Sequence, residues 1–108
     1  MNAPNLTKEQ RLAAAAKGVE ARKARAEAKR RLAAGEISIE SLLESDDPAI
    51  KRMRVRELLM SIGGVGEVRA SAAMADMSIA AGRRIGGLGA LQRAKILEFA
   101  KAHSAWIG

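Results

Sequence analysis

The chain has 108 residues, with nineteen Lys and Arg against twelve Asp and Glu for a formal charge of +7, one histidine and no cysteine. That length bounds it to one domain with at most an appended arm, and the missing thiols exclude a disulfide framework, a Cys-based metal site and a thiol nucleophile. No apolar run approaches the roughly 20 residues of a membrane span, so the reading is of a soluble, intracellular protein without a signal peptide; a sequence pI near 10.6 points to a polyanionic partner, most often nucleic acid.

In chain order, Thr7 and Gln10 fit a capping box. Residues 8–34 are nearly all strong helix formers, and Gly35 is a natural stop. At about 1.5 Å per residue this helix is about 40 Å long. Its large apolar residues are few, Leu12, Val19 and Leu32, so it has a thin stripe to bury and is expected to stand partly away from the core. At about 100° per residue, Lys8, Arg11, Arg22, Arg25 and Lys29 share one face, with Glu9, Glu20 and Glu27 roughly opposite. Glu27 and Arg31 form a favourable i,i+4 pair. The basic face is either a solvated surface or an arm laid along a phosphate backbone.

Ser38 caps a short helix carrying Ile39, Leu42 and Leu43, and Asp46, Asp47 and Pro48 start another turn with Pro at the first helical position. Val55, Leu58, Leu59 and Ile62 recur at i, i+3, i+4, i+7, the spacing of a helix packed by one face. After a glycine-rich turn, residues 68–75 read as a helix. Residues 76–89 are punctuated by glycine and must turn. Residues 90–102 form the last helix, expected to bury Leu91, Ile96, Leu97 and Phe99. His103 reads as a surface residue at a helix end, and Trp106 and Ile107 are expected to cover the core. Strand signals are absent, so the chain is expected to be all-α. Its charge is uneven: residues 1–35 hold nine basic and three acidic side chains, residues 36–60 four and six, and residues 61–108 six and three. Two basic ends around an acidic middle suggest two contact regions.

Two turns carry chemistry. In "SIGGVGEVRASA", residues 61–72, a glycine-rich turn opens a helix with a basic residue one turn inside. Glycine lets backbone approach closely and adopt positive φ, and the first N–H groups of a helix point outward at its positive end, which favours phosphate. Gly64 and Gly66 are the backbone candidates, Arg69 reaches the same phosphate, and Val65 anchors the turn in the core. The structural alternative, a tight connection between packed helices, is compatible with that role. A nucleotide P-loop is excluded, since Gly-Lys-Ser/Thr is missing, and a dinucleotide fingerprint fails for want of a βαβ unit. In "GRRIGGLG", residues 82–89, Arg83 and Arg84 sit in a turn that Ile85 and Leu88 pin to the core. Guanidinium suits bidentate contact to phosphate or guanine; the alternative for adjacent arginines is plain solubilisation. The two turns lie at opposite ends of one short helix, about 10–15 Å apart.

At these residues the chain resembles a known family. "LMSIGGVGEVRA" resembles the helix-hairpin-helix signature. Extended through "RRIGGLG" to "RAKILEFA", it is similar to the helix-two-turns-helix unit of ribosomal protein S13 and the DNA-repair glycosylases. "LTKEQR", "ARKARAEAKRRL", "KRMRVRELLMSIGGVGEVRA" and "GRRIGGLG", in this order, resemble the actinobacterial integration host factor family over roughly residues 5–99. The resemblance implies a basic N-terminal helical arm over 1–35 and a helical domain over 36–108, with the helix-two-turns-helix module at about 58–102. It implies a nucleoid-associated protein in the cytoplasm that binds double-stranded DNA with little sequence preference, bends or compacts it, and assists site-specific recombination, with a recombinase as a further partner. Phosphate would be held by Gly64, Val65, Gly66 and Arg69, and a groove would be entered by Arg83 and Arg84 on the turn that includes Gly87. Where that family usually has proline, lysine and a third basic residue, this chain has Gly63, Glu67 and Gly86.

Two other functions compete. An RNA-binding protein of the S13 type would recognise a structured duplex, since Phe99 and Trp106 are the only rings for stacking on single strands. A helical adaptor would bind proteins and survive high salt. No carboxylate pair, triad or metal-ligand spacing suggests an enzyme, and no cofactor, small-molecule ligand or membrane is implied. A monomer is expected.

Overall fold

The first helix, α1 (Lys8–Ala33), begins and ends on signals visible in the sequence. The computed structural model describes the backbone of residues 7–107 and the side chains of residues 7–103. Gln10 N–H donates to Thr7 Oγ1 at 3.0 Å and Thr7 N–H donates to Gln10 Oε1 at 2.8 Å, so the capping box closes in both directions. At the other end Gly35 sits at φ +76°. Glu36 N–H reaches the Arg31 carbonyl at 2.8 Å and Gly35 N–H the Leu32 carbonyl at 3.1 Å, a Schellman stop. Arg30 bridges Glu27 at 2.7 Å and Glu36 at 3.4 Å, and Arg31 also reaches Glu36. Glu27 therefore pairs with Arg30, one position nearer than the expected Arg31, and the chain reversal at Gly35 brings Glu36 up to both arginines.

The buried seam of α1 is made of small residues. Ala28 is buried, Gly18, Ala21 and Ala24 are half-buried, and the helix packs by this side against α3. Leu12 and Val19 face solvent, and of the three large apolar residues only Leu32 packs against the core. Alanine allows close helix approach where leucine would hold the helices apart. Arg25 and Lys29 are half-buried on one flank of the seam, whereas Lys8, Arg11 and Arg22 are exposed.

Two short helices follow. Ser38 caps α2 (Ile39–Leu43) by accepting Ser41 N–H at 3.1 Å, and Asp47 caps α3 (Pro48–Lys51) by accepting Ala49 N–H at 2.9 Å. Then come α4 (Val55–Met60), α5 (Glu67–Asp76), a 3₁₀ turn at Ile85–Gly87 and α6 (Ala90–Ile107). The fold is all-α. Met53, Val55, Leu58, Leu59, Ala70 and Ile96 have no solvent exposure and form the centre of the core.

Helix α6 corrects three expectations. It continues to Ile107 rather than stopping near residue 102. Leu91 is 70% exposed, not buried; it lies five residues before Ile96, which at about 100° per residue puts it well round the helix from the inward face. His103 is 7% exposed, not a surface residue; it follows Ile96 by seven residues and shares its face. The side chains of Trp106 and Ile107 lie outside the described residues. No helix among the described residues is long and apolar enough to cross a membrane.

Candidate nucleic-acid interface

The glycine-rich turn is built by the end of α4. Ile62 N–H donates to Leu59 and Val65 N–H to Ile62, at 3.1 and 3.0 Å, and Gly64 takes the left-handed conformation at φ +84°. Val65 is buried, so the turn is anchored from inside. From the side it is held by His103. The His103 Nε2–H donates to the Gly63 carbonyl, and the ring stacks on Phe99 with centroids 6.1 Å apart. A side chain at Gly64 would place its Cβ 3.4 Å from that Nε2, whereas Gly63 and Gly66 face open space. His103 is a supporting residue that the sequence reading passed over. The signal was its heptad spacing from Ile96.

Gly66 is the extended N-cap of α5 and contributes no side-chain cap. The N–H groups of Glu67 and Val68 therefore have no acceptor within the helix, at the end where the helix dipole favours an anion. Gly64, Gly66, Glu67, Val68, Arg69 and Ala72 line one open surface here, and Val68 is 85% exposed. Arg69 also borders the groove toward α6 with Asp76, Phe99 and His103. The Glu67 carboxylate also reaches α4, its Oε1 accepting from Arg56 Nη1 at 3.2 Å.

The far end of α5 closes on Ser78, a non-glycine residue at φ +57°. Ile79 N–H donates to Met74 at 2.8 Å, and both side chains are buried, the hydrophobic contact of a Schellman motif. Gln92 Nε2 donates to the Ser78 carbonyl at 3.1 Å, and Gln92 Oε1 accepts Gly89 N–H at 3.1 Å, tying this end to the start of α6.

The arginine turn is fastened to α4. Val55 N–H donates to the Arg83 carbonyl at 3.0 Å and Ile85 N–H to the Met53 carbonyl at 2.9 Å, making an antiparallel bridge between Arg54 and Arg84. The turn's backbone thus caps α4, whose N-cap Arg54 provides no side-chain cap. Residues opposite each other in an antiparallel pair put their side chains on the same face, and like charges so placed repel. Arg54 and Arg84 are both exposed there, and an anion between them would turn repulsion into attraction. Arg54 belongs to the cluster although the sequence reading counted it in the acidic middle segment. Arg83 Nη1 donates to the Gly87 carbonyl at 2.9 Å, curling over its own turn. A Cβ at Gly87 would lie 3.3 Å from Arg83 Cδ, so this glycine makes room for the arginine. At Gly86 a Cβ would meet the Lys51 carbonyl at 3.2 Å, which seats the turn directly on the end of α3.

The sequence candidates thus fall into three places. Gly64, Val65, Gly66 and Arg69 gather at the start of α5. Arg83, Arg84 and Gly87 gather past its end, joined by Arg54. Lys8, Arg11, Arg22, Arg25 and Lys29 lie along α1, which packs on α3, the helix that the arginine turn also contacts. Among the described residues, no group of three or more His, Asp or Glu side chains is placed to hold a metal ion.

A helical domain with two such turns at the ends of one short helix is the arrangement of an S13-like H2TH domain, and that family matches residues 32–99. The chain is 42% identical over 100 residues to the integration host factor of Mycobacterium tuberculosis, covering 91% of this chain and 95% of that one. It is 41% identical over 98 residues to the integration host factor of Streptomyces coelicolor, covering 89% and 92%. It therefore belongs to the integration host factor family of the actinobacteria. Among solved structures, that of sIHF bound to an 8 bp palindromic DNA is similar with a TM-score of 0.75 and 36% identity, over 77% of this chain and 96% of that one.

Proposed function

We propose that this protein is a non-enzymatic architectural protein of double-stranded DNA, acting as a monomer in the nucleoid. The observation that carries the reading is the Arg54–Arg84 pair, two exposed like charges held opposite each other by backbone hydrogen bonds. Such an arrangement has an electrostatic rationale when a phosphate backbone sits against it. The open N-terminus of α5 with Arg69, at the far end of the same helix, supplies a second phosphate contact. The similarity to the DNA-bound sIHF structure supports the same reading. In the finer reading, the glycine-rich turn sets register on the backbone, Arg83 and Arg84 enter a groove and couple binding to bending, and the bent duplex assists a site-specific recombinase.

The test is a titration of matched DNA and RNA duplexes over a salt series. With about four to six phosphate contacts, log affinity should fall against log salt with a slope near −0.9 per contact. DNA should bind at least as tightly as RNA. A flat salt response, or a clear preference for RNA, overturns the reading.

A further inference from the structure

We propose that Arg56 is a third phosphate ligand of the DNA interface, lying between the two turns, and that Glu67 is the counter-ion it leaves when duplex DNA binds. The inference rests on the duplex-binding reading above and assigns a residue to that surface.

Arg54 and Arg56 stand on either side of buried Val55 at the start of α4. Arg54 turns toward the arginine turn, where its Nη1 would lie 3.9 Å from a Cβ at Gly82. Arg56 turns toward α5. Its Nη1 is 3.2 Å from Glu67 Oε1, on the first residue of α5 and next to the Gly66 N-cap. The same side chain lines a shallow cleft of about 190 Å³ with Ser71, Met74 and Ala75 of α5 and Ile79 and Ala81 of the following loop. Arg56 therefore spans from the phosphate turn toward the arginine turn. Ser71, Ala75 and Ala81 are small and exposed, so nothing bulky bars a sugar–phosphate strand from the cleft. Arg69 leaves α5 about 200° round the helix from Ser71, which puts a cation on each flank of the helix that joins the turns.

Glu67 shows what this corner accepts. Its carboxylate is an oxyanion resting on the Arg56 guanidinium beside the open end of α5. Arg56 and Glu67 keep 46% and 68% of their side-chain surface exposed, and exposed pairs of this kind hold weakly. A backbone phosphodiester offers the same planar fork an equivalent pair of oxygens sharing one negative charge, and the neighbouring phosphates of a duplex add a field that a lone carboxylate lacks. It displaces the carboxylate without any backbone movement.

Two roles for the pair predict different signs. A clamp that merely braces α4 against α5 is broken equally by Arg56→Ala and Glu67→Gln, so beyond the effect of one charge, which Lys23→Ala calibrates, both would shift DNA affinity the same way. As a phosphate ligand with an exchangeable counter-ion, Arg56 is lost in the first variant and released in the second. The experiment is a titration of a fluorescent duplex with the full chain and with Arg56→Ala, Arg56→Lys, Glu67→Gln and Lys23→Ala over a salt series. Lys23→Ala removes one positive charge from the acidic side of α1 as a control for net charge, and urea unfolding of each variant reports the fold.

Arg56→Ala should weaken binding by about tenfold, the loss of one charge-assisted contact, and make the salt slope shallower by about one unit. Arg56→Lys should recover part of both. Glu67→Gln should tighten binding by about threefold. Affinity unchanged in Arg56→Ala, a loss no larger than that of Lys23→Ala, or weakening in both Arg56→Ala and Glu67→Gln overturns the assignment while leaving the duplex reading intact. Absence of duplex binding by the unaltered chain overturns the duplex reading first and this assignment with it.

Discussion

Replacing His103 with alanine tests how the glycine-rich turn before α5 is held. The ring contributes a hydrogen bond to the Gly63 carbonyl and a stacked contact on Phe99 at 6.1 Å, from a side chain 7% exposed. A buried hydrogen bond of this kind contributes about 0.5–1.5 kcal/mol net, and an aromatic pair about 0.5–1.5 kcal/mol beyond its area. The vacated space opens onto the groove lined by Arg69, Ala72 and Phe99, so water fills it and no sealed cavity adds a further penalty. The expected loss is therefore about 1–3 kcal/mol of an overall stability of about 5–15 kcal/mol. The variant should still fold. Urea unfolding followed by circular dichroism, with a slope of about 1–1.5 kcal/mol/M for a chain of this size, should show the midpoint falling by about 1–2 M. Gly63 and Gly64 then lose their lateral support, so duplex affinity should drop at low salt even where the variant is fully folded. His103→Gln keeps a donor and loses the stack, and should fall between. A stability loss under about 0.5 kcal/mol with unchanged binding would show that neither the hydrogen bond nor the stack holds the turn.

Three further outcomes follow from named contacts. Gly64→Ala should cost about 1–2 kcal/mol, because an alanine at φ +84° is strained, and should weaken DNA binding; Gly63→Ala, with open space and ordinary φ, is the matched control in the same unfolding and binding assays. Arg83→Ala with Arg84→Ala should reduce affinity and DNA bending together, whereas Arg22, Arg25 and Lys29 changed to Ala should weaken binding with less effect on the bend; a FRET-labelled duplex at matched occupancy decides, and the reverse pattern refutes the division of labour. The Glu27 carboxyl is held below its usual value of 4.5, first by the hydrogen bond from Arg30 and then by its charge. A depressed native value means that the small stabilisation is present above the usual value and is lost as pH falls through the depressed one; carboxyl NMR should show Glu27 titrating low, and moving up toward normal in Arg30→Ala, with Arg31 still holding it down.

Much of this fold is written in local signals. The Thr7 capping box, the Gly35 stop, the Ser38 and Asp47 caps and the i, i+3, i+4 stripe of α4 each act within a few residues, and each appears where the sequence places it. Leu91 and His103 were misplaced for one reason. Both depend on the phase of α6 relative to Ile96, and counting apolar residues does not set a phase. The small-residue seam of α1 was invisible because hydropathy weights leucine and valine, while a close helix contact needs alanine. The Arg54–Arg84 bridge lies beyond any local rule. Its partners are thirty positions apart, and its hydrogen bonds join a helix start to a loop rather than strand to strand. Glu67 stood out as an acid beside the glycine-rich turn, but its partner Arg56 could be found only once α4 and α5 were folded together.

These long-range ties explain why a short helix can carry two turns at a fixed separation. Helix α5 has ten residues, too few to be stable in isolation. Its first turn is held by Val65 in the core and by His103 against Gly63. Its last is held by Met74 and Ile79 in the core and by Gln92 against Ser78. The arginine turn beyond it is clipped to α4 at two hydrogen bonds, and α4 is the helix that leads into the first turn. The path from one turn to the other thus closes on itself through α5 on one side and α4 on the other. A closed path of this kind leaves little freedom to be lost when both turns meet a ligand at once, so more of the contact energy appears as affinity. It also transmits geometry. If the spacing of the two turns differs from that of phosphates on straight DNA, the duplex, whose smooth bending costs about 1–6 kcal/mol over 20–30 bp, yields before the protein does. The first turns of α1, exposed from Lys8 to Lys17, have no comparable ties. They can add charge along the backbone but cannot impose a bend.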